Sequence, residues 1–386
     1  MKTRINIWYI FVLASFFPVA SSLLRTGKPS VDGSGASNRT ENVIDTTLTL
    51  FFVGDLMGHE PMINAARISG TDSFDYKPWF QYLKPFVDQS DYSIVNLEVT
   101  LGGTPYSGYP TFSSPDAYAR DVRDIGFDMF ITANNHSLDR GQKGLERTID
   151  VLNKFNIDHT GTFKNQNERN ESYPFIKEFY GRKLAFLNCT YGTNGLKVQA
   201  PNIVNMIDTA EIRKDVSTAR QKGAEFIVFT VHWGSEYQRN ESSEQARIAQ
   251  WLADNGVDAI IGMHPHVIQP MKMLHPKNDP NKNVPVAYSL GNFVSNQRER
   301  YKDGGIGVKL SIKITENTIS FSTWEYVPFW IHRGGTKYGY YAIPASYYEN
   351  HPADFVLNST EQSALEMFIT DTRKHLSNVE EWKLDE

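Results

Sequence analysis

Cysteine is almost absent from this sequence of 386 residues, which contains only one, Cys189. A single cysteine excludes an intrachain disulfide bond. Cys189 lies in the apolar run LAFLNCT, so we predict a buried core thiol and not a nucleophile. Any metal site must then use oxygen and nitrogen ligands, which favours manganese, iron or zinc over metals that select thiolates.

The sequence also lacks an excess of positive charge. Its 39 lysines and arginines are outnumbered by 44 aspartates and glutamates, which gives a formal net charge of -5. Because proteins that bind a phosphate backbone need a basic face, we expect no nucleic-acid partner. An anionic substrate would have to meet local positive charge, supplied by metal ions or a few arginines.

No apolar run is long enough for a comfortable bilayer span, which needs about 20 residues. The longest, INIWYIFVLASFFPVA, follows Lys2 and Arg4 and precedes small residues. This layout predicts a secretory signal peptide over residues 1–22, with an uncleaved anchor as the alternative. Residues 23–46 are polar and rich in Gly and Ser, which predicts a flexible linker. We therefore expect an exported protein, periplasmic or at the cell surface.

From residue 47 onward, apolar runs of strand length alternate with amphipathic stretches. In 142–156 and 242–256 the apolar side chains recur at helical spacing, and Ser242 or Ser243 would cap the second helix. Such alternation predicts an α/β fold. The predicted strands are 47–53, 92–97, 128–133, 225–231, 258–262 and 285–290.

After residue 305 the pattern changes to two alternating runs, GVKLSIKIT and TISFSTWEYVPFWIHR, which predict antiparallel strands. We predict one domain over residues 47–335. Residues 336–386 form an aromatic and helical extension to which the sequence assigns no role.

The predicted strands end beside side chains that can bind metal ions. Ligands of α/β sheets bind beyond the carboxyl ends of the strands, so these side chains should meet in one region. A proline between two of the histidines stiffens the backbone that carries them. The residues at the strand ends are Asp55, Glu98, Asn135, His136, His232, His264 and His266.

The number of these side chains predicts two divalent metal ions. One zinc ion uses three or four protein ligands, whereas two ions that share a carboxylate would use the six other than His136. Such a pair activates a water molecule and stabilises both the attacking and the leaving oxygen.

The same segments resemble, in order along residues 47–295, the sequence blocks of the CapA family, which is linked to poly-γ-glutamate capsule synthesis. That family looks like a branch of the calcineurin-like metallophosphoesterases. The resemblance implies a four-layer α/β/β/α sandwich of two mixed sheets. The matching segments are FVGDLMGHE, VNLEVTLGG, TANNHSLDRGQKGL, TVHWGSEY, GMHPHVIQP and YSLGNFVSNQ.

The resemblance also implies roles for individual residues. Asp55 matches the opening ligand, Glu98 the bridging carboxylate, and Asn135 with His136 the amide and imidazole of the third block. His136 would act as an acid that protonates the leaving group. The remaining ligands would be His232, His264 and His266.

Two departures from the superfamily pattern place parts of the site in question. Met57 stands where a histidine ligand is usual, and His59 would either curl back to replace it or remain a surface turn residue. Ser137 stands where an acidic residue usually orients the histidine. Asp139 would take that role or would cap the turn.

Several residues near these blocks are candidates for substrate binding. Trp233 and Glu236 would line the groove beside His232, or would be packing residues. Asn292 would orient a ligand or the chain itself. Arg140 is the local cation for a carboxylate-rich or phosphate substrate, whereas we expect surface ion pairs for Arg298 and Arg300.

Two kinds of function follow from these patterns. The first is an exported metal-dependent hydrolase that cuts a phosphoester or an amide of an anionic polymer such as poly-γ-glutamate. The second is a non-catalytic factor that binds such a polymer through a degenerate metal site. In both cases the expected partners are the polymer and membrane-associated capsule synthesis machinery.

Overall fold

The computed structural model describes residues 45–334 and 339–384. The predicted signal peptide and nearly all of the predicted linker therefore lie outside the described residues. Among those described, no helix combines the length and the apolar character needed to cross a bilayer.

Seventeen strands and nine α-helices make up this part of the chain. The strands are β1 (Asp45–Leu56), β2 (Tyr92–Leu97), β3 (Met129–Ile131), β4 (Asp158–Thr160), β5 (Thr162–Phe163), β6 (Phe175–Phe179), β7 (Arg182–Thr190), β8 (Ile203–Val204), β9 (Phe226–His232), β10 (Ala259–Met263), β11 (Met271–Leu274), β12 (Val284–Ala287), β13 (Asn292–Val294), β14 (Gly304–Thr315), β15 (Ile319–Arg333), β16 (Tyr340–Pro344) and β17 (Glu380–Glu381). The α-helices are α1 (Glu60–Ala66), α2 (Lys84–Asp88), α3 (Asp116–Ile125), α4 (Gly141–Lys154), α5 (Gln166–Ser172), α6 (Thr209–Gln221), α7 (Ser243–Asp254), α8 (Ala345–Asn350) and α9 (Ser359–His375), and Lys77–Phe80 and Pro352–Asp354 are 3-10 turns.

The strands form two mixed sheets and one small antiparallel pair, β5 and β8. The large sheet has the order β16-β15-β14-β1-β2-β3-β4, with β13 beside β1 and β17 beside β15. The second sheet has the order β11-β12-β10-β9-β7-β6. In the large sheet, β1, β2, β3 and β4 are parallel to one another. In the second sheet, β7, β9, β10 and β12 are parallel to one another.

Alternation along β1 shows how the layers form. Leu50 and Phe52 point into the core between the two sheets, while Phe51 and Val53 point into a second core beneath the helices. A third core lies between the second sheet and helices α6 and α7. Each sheet thus has one face on the other sheet and one face on helices, which is the four-layer α/β/β/α arrangement predicted from the sequence.

The two helices with the clearest sequence pattern are confirmed. Helix α4 buries Leu145, Ile149 and Leu152 along one face. Helix α7 begins after Ser242, whose side chain accepts a hydrogen bond from the Gln245 backbone in a full capping box.

The chain beyond residue 338 is joined to the large sheet. β16 pairs antiparallel with the end of β15, and β17 pairs parallel with its middle. Phe368 of α9 packs into the core between the sheets, and Trp382 packs on the opposite face of the large sheet.

Gly262, next to the end of β10, allows the second sheet to pack tightly behind the histidine-bearing turn. A Cβ at this position would lie 2.1 Å from the Tyr288 carbonyl oxygen and 2.4 Å from Trp233 Nε1. The carbonyl belongs to the backbone, so it cannot move aside without distorting the sheet.

We expect Gly262→Ala to lower the free energy of unfolding by about 1–3 kcal/mol through overpacking. Gly192→Ala is the matched control, because a Cβ there meets nothing within 4 Å. Urea unfolding of both variants measures the effect. Equal midpoints for the two variants would show that the close packing at Gly262 is not a constraint.

Candidate metal centre

Two carboxylates lie side by side where β1 and β2 end. Asp55 and Glu98 are both fully buried, at 0% exposure. Between them, Asn96 Nδ2 donates to Asp55 Oδ1 at 2.8 Å and reaches Glu98 Oε2 at 3.5 Å. One amide therefore holds both carboxylates in place.

Three histidines from the second sheet face these carboxylates. His232 ends β9, and its Nε2 lies 3.4 Å from Glu98 Oε1. His266 Nδ1 lies 3.1 Å from Asp55 Oδ2, and the His264 backbone N–H points at the same carboxylate from 3.3 Å. The facing carboxyl ends of the two sheets thus bring together residues 209 positions apart in the chain.

The turn that carries His264 and His266 has a strained backbone. Both residues have positive φ, 101° and 55°, a region that costs a non-glycine residue on the order of 1 kcal/mol or more. Asn292 Nδ2 supports the turn by donating to the His266 carbonyl at 3.3 Å. The structure therefore places Asn292 as a support for the histidine turn.

Asn135 and His136 lie on the other side of His232. Asn135 Oδ1 is 2.9 Å from His232 Nε2. His136 Nδ1 is 2.7 Å from Asp139 Oδ2, and that oxygen also accepts the Phe112 backbone N–H. Asp139 thus orients the imidazole.

Ser137, at the position where an acid is usual in the superfamily, plays no part in orienting His136. Its hydroxyl donates to the Thr132 and Asn134 carbonyls and closes the turn after β3.

Burial sets the protonation of these groups. It lowers the pKa of His264 to about 3 and the pKa of His232 well below its usual value, so both are neutral and able to bind a metal. Burial, followed by the charge of Asp55, raises the pKa of Glu98 well above its usual value. Burial also acts to raise the pKa of Asp55, but the contact with His266 and the amide of Asn96 outweigh it and lower that pKa.

Within residues 45–334 and 339–384, the chain offers two groups of ligand atoms that share one residue. Glu98, His264 and His266 form one group, and Asp55, Glu98 and His232 form the other, each with its atoms within 4.8 Å of one another. Among the described residues, Glu98 Oε1 and His264 Nδ1 are buried and have no hydrogen-bond partner. Unpaired buried atoms of these types fit divalent cations, and Glu98 belongs to both groups.

Met57 and His59 lie outside both ligand groups. Met57 is buried in the core beneath the helices, where its thioether packs against apolar side chains. His59 Nδ1 accepts the Asn296 backbone N–H at 3.3 Å, and its ring packs edge-on against Phe112. Its other ring nitrogen is not part of either group of ligand atoms.

The substrate-binding candidates occupy different environments. Trp233 follows His232 directly, so its side chain points to the opposite face of the sheet, away from the site. It is buried in the core against α7, and its indole N–H donates to the Tyr288 carbonyl. Glu236 is exposed, and its charge makes a smaller contribution, after burial and Asp55, to the raised pKa of Glu98. Arg140 is half-buried and reaches the Ser107 hydroxyl at 3.3 Å.

The two other arginines do not reach the ligand groups. Arg300 forms a bidentate ion pair with Asp371, as expected for a surface residue. Arg298 instead donates to the carbonyls of Ile331 and Ser295, so the expected surface ion pair was wrong for this residue.

Three residues at the site were not identified from the sequence. Asn96 lies inside an apolar strand. It pairs with Asp55 across β1 and β2, and the alternation of side chains along β2 could have placed it on the same face of the sheet as Asp55. Tyr191 and Asn194 follow β7, an apolar run with no acid or histidine at its end. Tyr191 lies 4.6 Å from the His264 ring, and Asn194 Oδ1 accepts from Asn135 at 3.2 Å.

These features define a class of protein. Two mixed sheets between helical layers, with carboxylates and histidines at the strand ends, are the arrangement of the metallophosphoesterase fold. The NAD nucleotidase of Haemophilus influenzae shares the fold with a TM-score of 0.51 at 15% identity, over 89% of this chain and 65% of that one. The calcineurin-like phosphoesterase YfkN from Bacillus subtilis aligns over 86% of this chain and 99% of that one, at 13% identity and with a TM-score of 0.44.

Within that class, the chain belongs to the bacterial capsule synthesis protein PGA_cap family, whose model matches residues 49–297. It is 26% identical to the PGA biosynthesis protein CapA of Bacillus subtilis (strain 168) over 276 residues, 69% of this chain and 68% of that protein. It is 29% identical to the capsule biosynthesis protein CapA of Bacillus anthracis over 270 residues, 67% of this chain and 62% of that protein. The predicted family is confirmed.

We expect Glu98→Gln to raise the melting temperature of the chelator-treated protein at pH 7, because the change removes a buried carboxylate that lacks a cation. A raised folded pKa means that ionised Glu98 costs stability at neutral pH. This cost, and with it the advantage of the variant, should fall as the pH approaches about 4.3, where the unfolded carboxyl also binds a proton.

The same variant should lose the stabilisation that manganese gives the wild type through binding to the folded state. Glu178→Gln, at an exposed position of β6, is the control and should behave as wild type. Thermal melts in chelator and in manganese measure both effects. A metal-free Glu98→Gln protein that melts below wild type would contradict the assignment of an uncompensated carboxylate.

Proposed function

We propose that this chain is an exported metal-dependent hydrolase that acts on an anionic extracellular polymer, poly-γ-glutamate or related capsule material, or on a phosphoester. The observation that carries the proposal is the shared position of Glu98 in two groups of ligand atoms. A carboxylate between two cations is the arrangement that two-metal hydrolysis requires.

Two divalent ions, manganese, iron or zinc, would activate water and neutralise charge on the substrate when bound in these groups. The residues of the chain then have separate tasks. Asp55, Asn135, His232, His264 and His266 would hold the ions together with Glu98. Asp139 keeps the Nδ1 of His136 engaged at 2.7 Å, which leaves Nε2 to give a proton to the leaving group.

Two lines of support favour an extracellular polymer as the substrate. The names of the Bacillus relatives refer to PGA biosynthesis and to capsule biosynthesis. The start of the sequence, with Lys2 and Arg4 before a short apolar run, supports export. The same support extends to membrane-associated capsule machinery as the partner of the chain.

Met57 supports a second candidate, a factor that binds the polymer without cutting it. The thioether packs into an apolar core, so the chain lacks the third-position ligand of the superfamily pattern. One of the two ligand groups would then hold its ion weakly or not at all. Such a site would bind an anionic chain but would not activate water between two ions.

The experiment that tests the proposal compares His264→Ala with His136→Ala. His264→Ala removes a ligand, so we expect it to lose bound metal and turnover together. His136→Ala removes the proton donor, so it should keep its metal and lose turnover by about 10²–10⁴-fold. His275→Ala, at an exposed histidine, is the control and should match wild type.

The measurements are metal content by elemental analysis and turnover of bis(p-nitrophenyl) phosphate and of poly-γ-glutamate. Wild-type protein with one ion or none per chain that binds the polymer without cutting it would contradict the hydrolase and support the binding factor. Equal turnover by wild type and His264→Ala would contradict the metal-dependent mechanism.

A further inference from the structure

Tyr191 follows β7 directly and is tied to the metal centre through its backbone. Thr190 lies opposite His232 in the parallel register of β7 and β9, and the Tyr191 N–H donates to the His232 carbonyl at 2.9 Å. The Tyr191 ring lies 4.6 Å from that of His264 and 6.3 Å from that of His232, nearly parallel to the latter.

The exposure of Tyr191 sets it apart from the groups beneath it. Its side chain is 45% exposed, whereas His264 is 3% exposed and His232 is 1% exposed. A substrate must reach the buried groups past whatever covers them. Tyr191 covers two of the histidines and also faces solvent, so it borders the approach to the metal centre.

Tyr237 also stands near the site, but its surroundings fix it. Its ring is 6.2 Å from that of His266, Lys302 Nζ lies 4.2 Å above it, and its hydroxyl accepts a hydrogen bond from Gln297 Nε2. Tyr191 has a different neighbour, the side chain of Asn135. A neutral phenol there can donate to an oxygen of the substrate as it approaches the ions.

Asn194, on the same loop, forms a hydrogen bond with Asn135 and lies near His136. Its Oδ1 accepts from Asn135 Nδ2 at 3.2 Å, and its Nδ2 lies 3.5 Å from His136 Nδ1. Its backbone has a φ of 49°, which turns the loop back towards the site. The loop after β7 therefore forms a hydrogen bond with the amide of the site.

We infer that Tyr191 is a substrate-binding residue whose hydroxyl donates a hydrogen bond to an anionic oxygen of the substrate. The inference rests on the proposed function of the site. It assigns recognition of the substrate to a strand end that carries no metal ligand.

The test is calorimetric binding of two probes, inorganic phosphate and a γ-glutamyl oligomer, to the full-length manganese-loaded protein. Tyr191→Phe keeps the ring over His264 and removes only the hydroxyl. We expect at least one probe to bind about tenfold more weakly, as for the loss of a hydrogen bond to a charged group, with metal content unchanged.

Tyr180→Phe is the matched control. Tyr180 lies just before β7, is 49% exposed, and donates its hydroxyl to Asp91 at 2.7 Å, so the variant makes the same chemical change at the opposite end of the strand. It should bind both probes as wild type does.

The two probes identify the source of the oxygen. If Tyr191→Phe binds phosphate more weakly, Tyr191 recognises phosphoryl oxygens. If the variant binds only the γ-glutamyl oligomer more weakly, Tyr191 recognises carboxylates. Unchanged binding of both probes by Tyr191→Phe would overturn the inference, as would a metal-loaded wild type that binds neither. Tyr191-dependent binding without any turnover would support the inference and contradict only the proposed hydrolase.

Discussion

Burial of Asp55 and Glu98 next to each other, at 0% exposure, is the constraint on which the rest of the site depends. Two adjacent carboxylates cannot both be ionised in a region of low dielectric without compensating positive charge. Among the described residues, the groups that contact them are the imidazoles of His232 and His266, the backbone N–H of His264 and the amide of Asn96, not lysines or arginines. A proton on Glu98 or bound cations would supply the compensation, and the unpaired Nδ1 of His264 points to cations.

The fold provides the rigidity that this arrangement needs. Asp55 and Glu98 follow parallel strands of the large sheet, and the histidines follow parallel strands of the second sheet, so the two sets meet only because the carboxyl ends of both sheets face each other. The positive φ angles of His264 and His266 are maintained by the surrounding packing, since Asn292 holds the turn from one side and the Gly262 segment lies against the Tyr288 backbone on the other. Strain of this kind persists only where neighbouring structure enforces it.

Much of this arrangement could be predicted from the sequence, because apolar runs and the side chains that end them are local features. The strands before Asp55, Glu98 and His232, and the capped helix after Ser242, follow from periodicity alone. What could not be predicted is the face of the sheet to which a side chain points, and the contacts between residues far apart in the sequence. Trp233 is a neighbour of His232 in sequence but alternates onto the opposite face of the sheet, into the core. Asn96 lies inside an apolar strand, and Tyr191 follows a strand with no ligand at its end. Only the structure shows that both lie beside the two groups of ligand atoms.

The proposed two-metal hydrolysis requires Glu98 to bridge two cation sites. Anomalous diffraction from crystals of the wild-type protein soaked in manganese tests it most directly. We expect two peaks about 3.5–4 Å apart with the Glu98 carboxylate between them. One should lie beside Asp55 and His232, and the other beside His264 and His266. A single peak away from Glu98, or no peak within reach of these side chains, would contradict it.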